Sequence, residues 1–433
     1  MRSWQTLRVN RVSTRQGTVR QEVPCEVSRW RLLFSRNFGL VWVSQLVSQV
    51  GDGVSNLALL WFVYSITGSP VKTTIIGLLH TIPPIVLGPL IGVYVDRLPK
   101  KLFLIGSNVL RAMLIGVIPC VIQTESFTVN LLYVLVLMDA VAMAMFSPAL
   151  TSSVPLIVSR AQFTAANALI QSTTSLGIIF GPAVSGIGIA YFGSQEVLCL
   201  NAVTYFVAAV CLGLVRLGAL QRCEGPKGAA SSTWQDFTDG LTFVAIKQRV
   251  ILLLVLTAGC YGFGASALTT LFPVFARKLL SLGPVEVGYL WSALGVGLLL
   301  MSLTLVRFTE WSLSDRTTII AVASVASALA IGLLVWTTDL FLVGLLMIVI
   351  GGGMGAFTPI AWGVVQELTP VHLVGRVMSL YTTGAMTAAI SGISLFGWAT
   401  ERFGESTGVA GIGATFLLTA SFGGWLSWSI RRR

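Results

Sequence analysis

The stretch TTIIGLLHTIPPIVLGPLIGVYV, residues 73–95, runs for 23 positions without an Asp, Glu, Lys or Arg, and DRLPKK, residues 96–101, follows it at once. About 20 mostly apolar residues are needed for a helix to cross a bilayer. In lipid a backbone has no partner but itself, so such a segment must be helical. The three basic residues Arg97, Lys100 and Lys101 packed behind it mark a short loop on the side of the membrane that collects positive charge. One hydrophobic crossing followed by a basic turn is the unit from which the rest of the chain is built.

Eleven further segments follow the same rule, and with the first they predict spans at 38–66, 73–95, 102–123, 129–155, 164–192, 197–217, 250–276, 284–308, 317–337, 340–365, 375–400 and 406–430. The composition agrees: 55% of the 433 residues are hydrophobic and 10% are charged, against about 25% charged in a soluble domain. The formal charge of +11 sits in short gaps between apolar runs, which points to the anionic cytoplasmic leaflet and away from nucleic acid. Lys and Arg gather at the N-terminus, at 97–101, at 216–249, around Arg307 and Arg316, at Arg376 and at the C-terminus, whereas the opposite loops hold only Lys72, Arg277, Lys278 and Arg402. Both termini are therefore expected in the cytoplasm of a cell that carries this protein in its inner or plasma membrane. Residues 1–37 read as a basic tail with no apolar signal-peptide core. The polar stretch 218–249 reads as a cytoplasmic connector between an N-terminal bundle of six helices (38–217) and a C-terminal bundle of six (250–430). The expected class is an all-α polytopic membrane protein with twelve transmembrane helices.

The loop Gly92-Val-Tyr-Val-Asp96-Arg97-Leu-Pro-Lys100-Lys101 resembles the signature loop of the major facilitator superfamily, in which Gly, three residues, Asp-Arg, two residues and a basic pair follow the second helix. The resemblance implies a conformational latch made by Gly92, Asp96, Arg97 and Lys100: a smooth helix face at the glycine and a charge pair near a helix end. Pro99 stands where the family usually has glycine. In the fifth segment, Gly177-Ile-Ile-Phe-Gly181-Pro182-Ala-Val-Ser-Gly186 is similar to the Gly-Pro motif of facilitator antiporters. Pro182 removes a helical hydrogen bond, and Gly177, Gly181 and Gly186 permit close approach of another helix. The motif implies an interface helix that bends as the halves rock, and in the family it accompanies export. Ser48-Gln-Val-Gly-Asp52-Gly53, Phe146-Ser-Pro148 and Gly375-Arg376-Val-Met-Ser379 add a resemblance to the branch that holds macrolide efflux proteins, the enterobactin exporter and lysophospholipid transporters. The resemblance covers residues 30–430.

Ionisable groups within a span cost roughly 2.5–3.5 kcal/mol each on insertion scales, which makes them functional candidates. Three stand out: Asp52, Arg111 and Asp139. At 1.5 Å per residue, Arg111 lies about 14 Å and Asp139 about 15 Å into adjacent spans from opposite sides, so the two can meet as an ion pair. The facilitator resemblance implies that the first and fourth helices line a central cavity, and with it that Asp52 or Asp139 carries a coupling proton while Arg111 answers to it. The alternatives are a static Arg111–Asp139 pair, and Asp52 capping a local turn with Gly51 and Gly53. His80 is either a proton relay or, more simply, a group bonded to a neighbouring carbonyl. Glu367 is either part of an inner gate or surface.

Gly351-Gly-Gly-Met-Gly355 has no preceding strand and no Lys-Ser/Thr, so it is no phosphate loop. The sequence carries no Walker motif, catalytic triad or metal-ligand spacing, and no cofactor, metal or enzymatic activity is expected. Trp42, Phe146, Tyr261, Phe263 and Phe357 are candidates for aromatic cavity walls that suit a partly apolar ligand. The expectation is a monomeric secondary transporter that exports a small amphipathic molecule, such as an antibiotic or siderophore, in exchange for protons. Lysophospholipid movement is the alternative. A membrane sensor or assembly partner, and nutrient uptake, are further ones.

Overall fold

The structure, a computed structural model, describes residues 33–95, 99–123, 128–158, 163–216, 249–307, 312–369 and 374–432. Apart from residues 33–37, the N-terminal tail lies outside the described residues, as does the connector apart from Arg249. So do Asp96 and Arg97 of the expected latch.

The described residues form twelve long helices: α1 (Arg36–Thr67), α2 (Pro70–Val95), α3 (Lys100–Ile122), α4 (Val129–Ile157), α5 (Phe163–Phe192), α6 (Ser194–Leu214), α7 (Arg249–Leu279), α8 (Pro284–Arg307), α9 (Leu313–Leu333), α10 (Leu340–Leu368), α11 (Val374–Phe403) and α12 (Glu405–Arg431). Eleven carry a stretch long and apolar enough to cross a membrane; among the described residues α11 does not, although a span was expected at 375–400. Much of its polarity comes from hydroxyl residues, and four of these bond back to their own helix. Thr382, Thr387, Ser391 and Ser394 donate to the carbonyls of Met378, Thr383, Thr387 and Ile390 at 2.9 Å. A hydroxyl satisfied in this way no longer needs water.

The first six helices pack chiefly on one another, with α1 lying along α5 and α6, and α3 bridging α4 and α6; the last six repeat the plan, with α7 along α11 and α12, and α9 bridging α10 and α12. The corresponding turns match as well. α5 meets α6 through the single residue Gly193 (φ 98°), and α11 meets α12 through Gly404 (φ 89°). Only glycine adopts such φ values freely, and each is followed by a carboxylate in the first helical turn, Glu196 or Glu405, where the helix dipole favours it.

The even alternation of helices puts residues 36 and 431 on one face, called here the terminal face, and the α1–α2 and α11–α12 turns on the far face. Between the bundles, α5 packs on α8 and α2 on α11, with smaller contributions from α1 and α2 on α7. Several of these contacts lie toward the far face. Glu401 of α11 accepts hydrogen bonds from the Ser69 hydroxyl and, at 2.9 Å, from the Val71 amide, which caps the first turn of α2 from the opposite bundle. The Arg277 guanidinium of α7 stands 5.2 Å from the Trp61 ring and 5.8 Å from the Tyr64 ring of α1. Gly186 of α5 abuts the backbone of Pro284 and Gly288 of α8.

Candidate functional site

The sequence Gly51-Asp52-Gly53 sets the position of the first carboxylate. α1 runs unbroken from Arg36 to Thr67, so Asp52 caps no turn, and the two glycines serve packing. A Cβ on Gly51 would strike the side chains of Thr204 and Asn201 on α6; one on Gly53 would lie 2.6 Å from the Gly177 carbonyl oxygen and 3.0 Å from the Gly181 Cα on α5. α1 is thus wedged between α5 and α6 with backbones close together. Hydrogen bonds between helices hold it there: Ser44 to the Ala208 carbonyl (3.0 Å), Asn201 to Ser55 (2.6 Å) and Ser185 to the Val54 carbonyl (2.8 Å).

With α1 fixed, the three intramembrane charges come together. The Arg111 Nε donates to Asp139 Oδ1 at 3.0 Å, and its Nη2 donates to Asp139 Oδ2 at 3.3 Å and to Asp52 Oδ1 at 2.9 Å. The Tyr205 hydroxyl of α6 donates to the same Asp52 oxygen, and its ring stacks 4.2 Å from the guanidinium carbon. The planar fork of arginine meets a carboxylate with two parallel bonds, a geometry that lysine cannot give. Arg111 and Asp139 are almost wholly buried, with side-chain exposures of 4% and 2%, while Asp52 retains 21%. Asp139 therefore spends both oxygens on Arg111, whereas Asp52 keeps Oδ2 without a hydrogen bond among the described residues.

The cluster borders a cavity of about 240 Å3, whose lining includes Gln49, Asp52, Asn56, His80, Arg111, Asp139, Thr174 and Tyr205, with Leu59, Ile115, Met143 and Ile178 supplying apolar wall. Its residues come from all six helices of the first bundle. The His80 Nε2 is buried with no hydrogen-bond partner among the described residues, so a bond to a neighbouring carbonyl is not made through that nitrogen.

The remaining candidates are distributed as follows. Gly177 and Gly181 face Gln49, Val50 and Gly53 of α1, within their own bundle; the stretch meets the opposite bundle through Ile178 and Ile179, close to Gly295, and through the Pro182 carbonyl and Gly186, close to Gly288 and Pro284. Gly92 is in the last turns of α2, and Lys100 opens α3. Lys101 donates to the Gly213 and Val215 carbonyls at 2.7 and 2.9 Å, closing the C-terminal end of α6. The five aromatic residues expected at the cavity do not line this one. Trp42 donates to the Leu169 carbonyl (2.9 Å), and Phe146 packs with Val41, Leu104 and Leu150. Tyr261 stacks on Phe357 with centroids 4.0 Å apart, and Phe263 meets Phe396 edge-on, inside the second bundle. Glu367 pairs with Arg316 at 2.9 Å, joining α10 to α9. Sequence reading missed Tyr205. The signal available was the pair Asn201 and Tyr205, four residues apart on one face of an apolar helix.

Comparison with known proteins fits this geometry. The family model described as transmembrane secretion effector matches residues 27–427. Macrolide efflux protein A of Streptococcus pyogenes is 22% identical over 368 residues, spanning 85% of this chain and 89% of that protein. The multidrug efflux pump Tap of Mycolicibacterium fortuitum is 26% identical over 390 residues, spanning 87% and 91%. Among solved structures, a bacterial homologue of the iron transporter ferroportin in an inward-facing state superposes with a TM-score of 0.71 at 15% identity, over 90% of this chain and 98% of that one. With twelve helices in two like-built sets and a family match over nearly its whole length, the chain belongs to the transmembrane secretion effector family of the major facilitator transporters, multi-pass membrane proteins that are not enzymes.

Proposed function

We propose that this protein exports small amphipathic molecules across the cell membrane in exchange for protons, and that Asp52 is the group that takes up and releases the proton. The observation that carries this reading is the buried Asp52–Arg111–Asp139 cluster at the edge of a membrane-embedded cavity. Two carboxylates share one guanidinium. Asp139 is enclosed, and Asp52 alone of the three is partly open. A proton arriving on Asp52 cancels its attraction for Arg111, which can then pair wholly with Asp139. α1 is thereby loosened from α3. Because α1 is packed on α5, and α5 on α8 of the other bundle, a change in the hold on α1 reaches the surface along which the halves move. Proton occupancy would shift the balance between two access states through such differential contacts.

Several features support the direction. Positive charge on the terminal face supports reading it as cytoplasmic. The contacts of Glu401, Arg277 and Gly186 between the bundles then close the outer side, the state in which an exporter loads from the cytoplasm. The efflux proteins among its relatives point the same way.

The test is transport in proteoliposomes under an imposed pH gradient, using Asp52→Asn and Asp139→Asn. Gradient-driven efflux in Asp52→Asn should fall about tenfold or more, a coupling loss of about 1.4 kcal/mol. Efflux that stays gradient-driven at the parent rate in both variants refutes the assignment.

A further inference from the structure

We infer that Tyr205 is a positioning residue for Asp52: its ring belongs to the fold, whereas its hydroxyl holds Asp52 Oδ1, so that the proton is taken up at Oδ2 and α1 parts from α3 without leaving α6. This rests on the reading of Asp52 as the proton carrier and adds a residue to it.

Tyr205 is almost wholly buried, at 1% exposure. Its hydroxyl donates to Asp52 Oδ1, and its ring lies 4.2 Å from the guanidinium carbon of Arg111. It thus touches both members of the Asp52–Arg111 pair from a third helix, and α6 packs on both α1 and α3. Asp52 Oδ2 has no hydrogen bond among the described residues, so it is the oxygen left to take a proton. Toward either form of the carboxyl group a phenol hydroxyl can donate, and its bond to Oδ1 persists once Oδ2 is protonated. The bond from Arg111 draws its extra strength from opposite charge and loses that strength at the same moment. Protonation therefore loosens α1 from α3 and leaves the tie to α6 in place. The ring serves the other partner: an aromatic face attracts a cation with no anion present, so Arg111 stays covered as it turns wholly to Asp139. The other titratable or charged groups lining the cavity are Asp139 of α4 and His80 of α2, while α5 contributes only Thr174, Gly177 and Ile178.

The second half of the chain separates the role of the ring from that of the hydroxyl. One constant offset in sequence carries Gly51-Asp52-Gly53 to Gly262-Phe263-Gly264, Gly193 to Gly404, and Thr204-Tyr205 to Thr415-Phe416. The packing repeats with it. A Cβ on Gly51 would strike Thr204, and one on Gly264 would strike Thr415. Phe416 is as buried as Tyr205 and stands edge-on to Tyr261, with ring centroids 6.1 Å apart. Each bundle thus fills this place with a ring, and phenylalanine is enough for packing. The hydroxyl occurs in the half that has Asp52 and is missing from the half that has Phe263 instead. A buried hydroxyl is costly unless it is bonded, so a residue kept for packing alone would omit it, as Phe416 does.

The test is infrared difference spectroscopy on the purified full-length protein in detergent, across a downward pH step. The carboxylic C=O band that disappears in Asp52→Asn belongs to Asp52. Tyr205→Phe should keep that band and move it to higher wavenumber, because a carbonyl oxygen that loses a hydrogen bond leaves a stiffer C=O. A purely structural role would lower the thermal unfolding midpoint of Tyr205→Phe and leave the band where it was. Should that variant not fold, the parent protein carrying ring-labelled tyrosine serves in its place: a tyrosine C–O band should change in the same step and stay silent in Asp52→Asn. An Asp52 band at the parent wavenumber in Tyr205→Phe, or tyrosine bands that ignore the step, overturns this inference and leaves proton uptake by Asp52 standing. If Asp52→Asn loses no band, Asp52 takes up no proton and both readings fall.

Discussion

Replacing Arg111 with methionine will remove stability and transport together. Methionine fills much of the same space and takes away only the charge and its hydrogen bonds, so packing loss is a minor part of the effect. What remains are two carboxylates, Asp52 and Asp139, that had been held by one guanidinium at 2.9 and 3.0 Å. Removing one partner of a buried ion pair typically costs about 3–5 kcal/mol, because the other charge is stranded. Two are stranded here. The expected result is a large drop in the thermal unfolding midpoint in detergent and no gradient-driven efflux. Arg111→Lys keeps the charge and loses the two-pronged grip on Asp139, so it should fall between the parent and the methionine variant. Combining Arg111→Met with Asp139→Leu removes the buried pair as a unit, which is far less costly than breaking it. That double variant should recover most of the stability and none of the transport. If the methionine variant unfolds at the parent temperature, the cluster does not hold the bundle.

The second large effect is expected at Gly288. A Cβ there would meet the Pro182 carbonyl oxygen at less than contact distance and the Gly186 Cα at 3.0 Å. Both are backbone atoms, so no side chain can swing aside, and Gly288→Val must push α8 away from α5. Overpacking of this kind costs about 1–3 kcal/mol. The cost falls on the state in which the far face is closed, so the balance should move toward the opposite access state by about 5- to 150-fold. Spin labels at Lys72 and Arg402, exposed on the far face in different bundles, would report it as a shift of the distance distribution to longer values. Gly106→Ala, where an added Cβ meets nothing within 4 Å, should leave the distribution as it is. An unshifted distribution in Gly288→Val would mean that the α5–α8 contact does not govern closure.

The helices were legible in the sequence because a bilayer leaves the backbone few choices. Ten of the predicted spans coincide with a helix to within a few residues at each end, although the eleventh is too polar to meet the span criterion among its described residues. The sixth and ninth are displaced, beginning at Ser194 and Leu313 in place of 197 and 317. Both start with polar residues that hydropathy discounts but helices welcome: Glu196 in the first turn of α6, and Ser312, whose side chain accepts the Asp315 amide, at the head of α9. Charges were legible for a similar reason, since an ionised group in lipid must find a partner, and Arg111 found both carboxylates. Aromatic residues were not. A phenyl ring is equally at home against lipid, against its own bundle or at a cavity wall, and composition does not choose among them. Tyr261 and Phe357 consequently turn out to stack on each other, while Tyr205, whose ring lies beside the ion cluster, drew no notice.

The hydroxyl-rich character of α11 bears on how this protein is made. During synthesis each segment is sorted between the translocon pore and the surrounding lipid by its own greasiness, and Val374–Phe403 is the one helix of the twelve whose described residues hold no stretch long and apolar enough to cross a membrane. It is joined to α12 by the single residue Gly404, so the two can enter as a hairpin, with the more apolar newcomer carrying its predecessor in. Lodging of α11 is therefore expected to depend on α12, and a chain cut before residue 405 should insert α11 less completely than one that includes Glu405–Arg431.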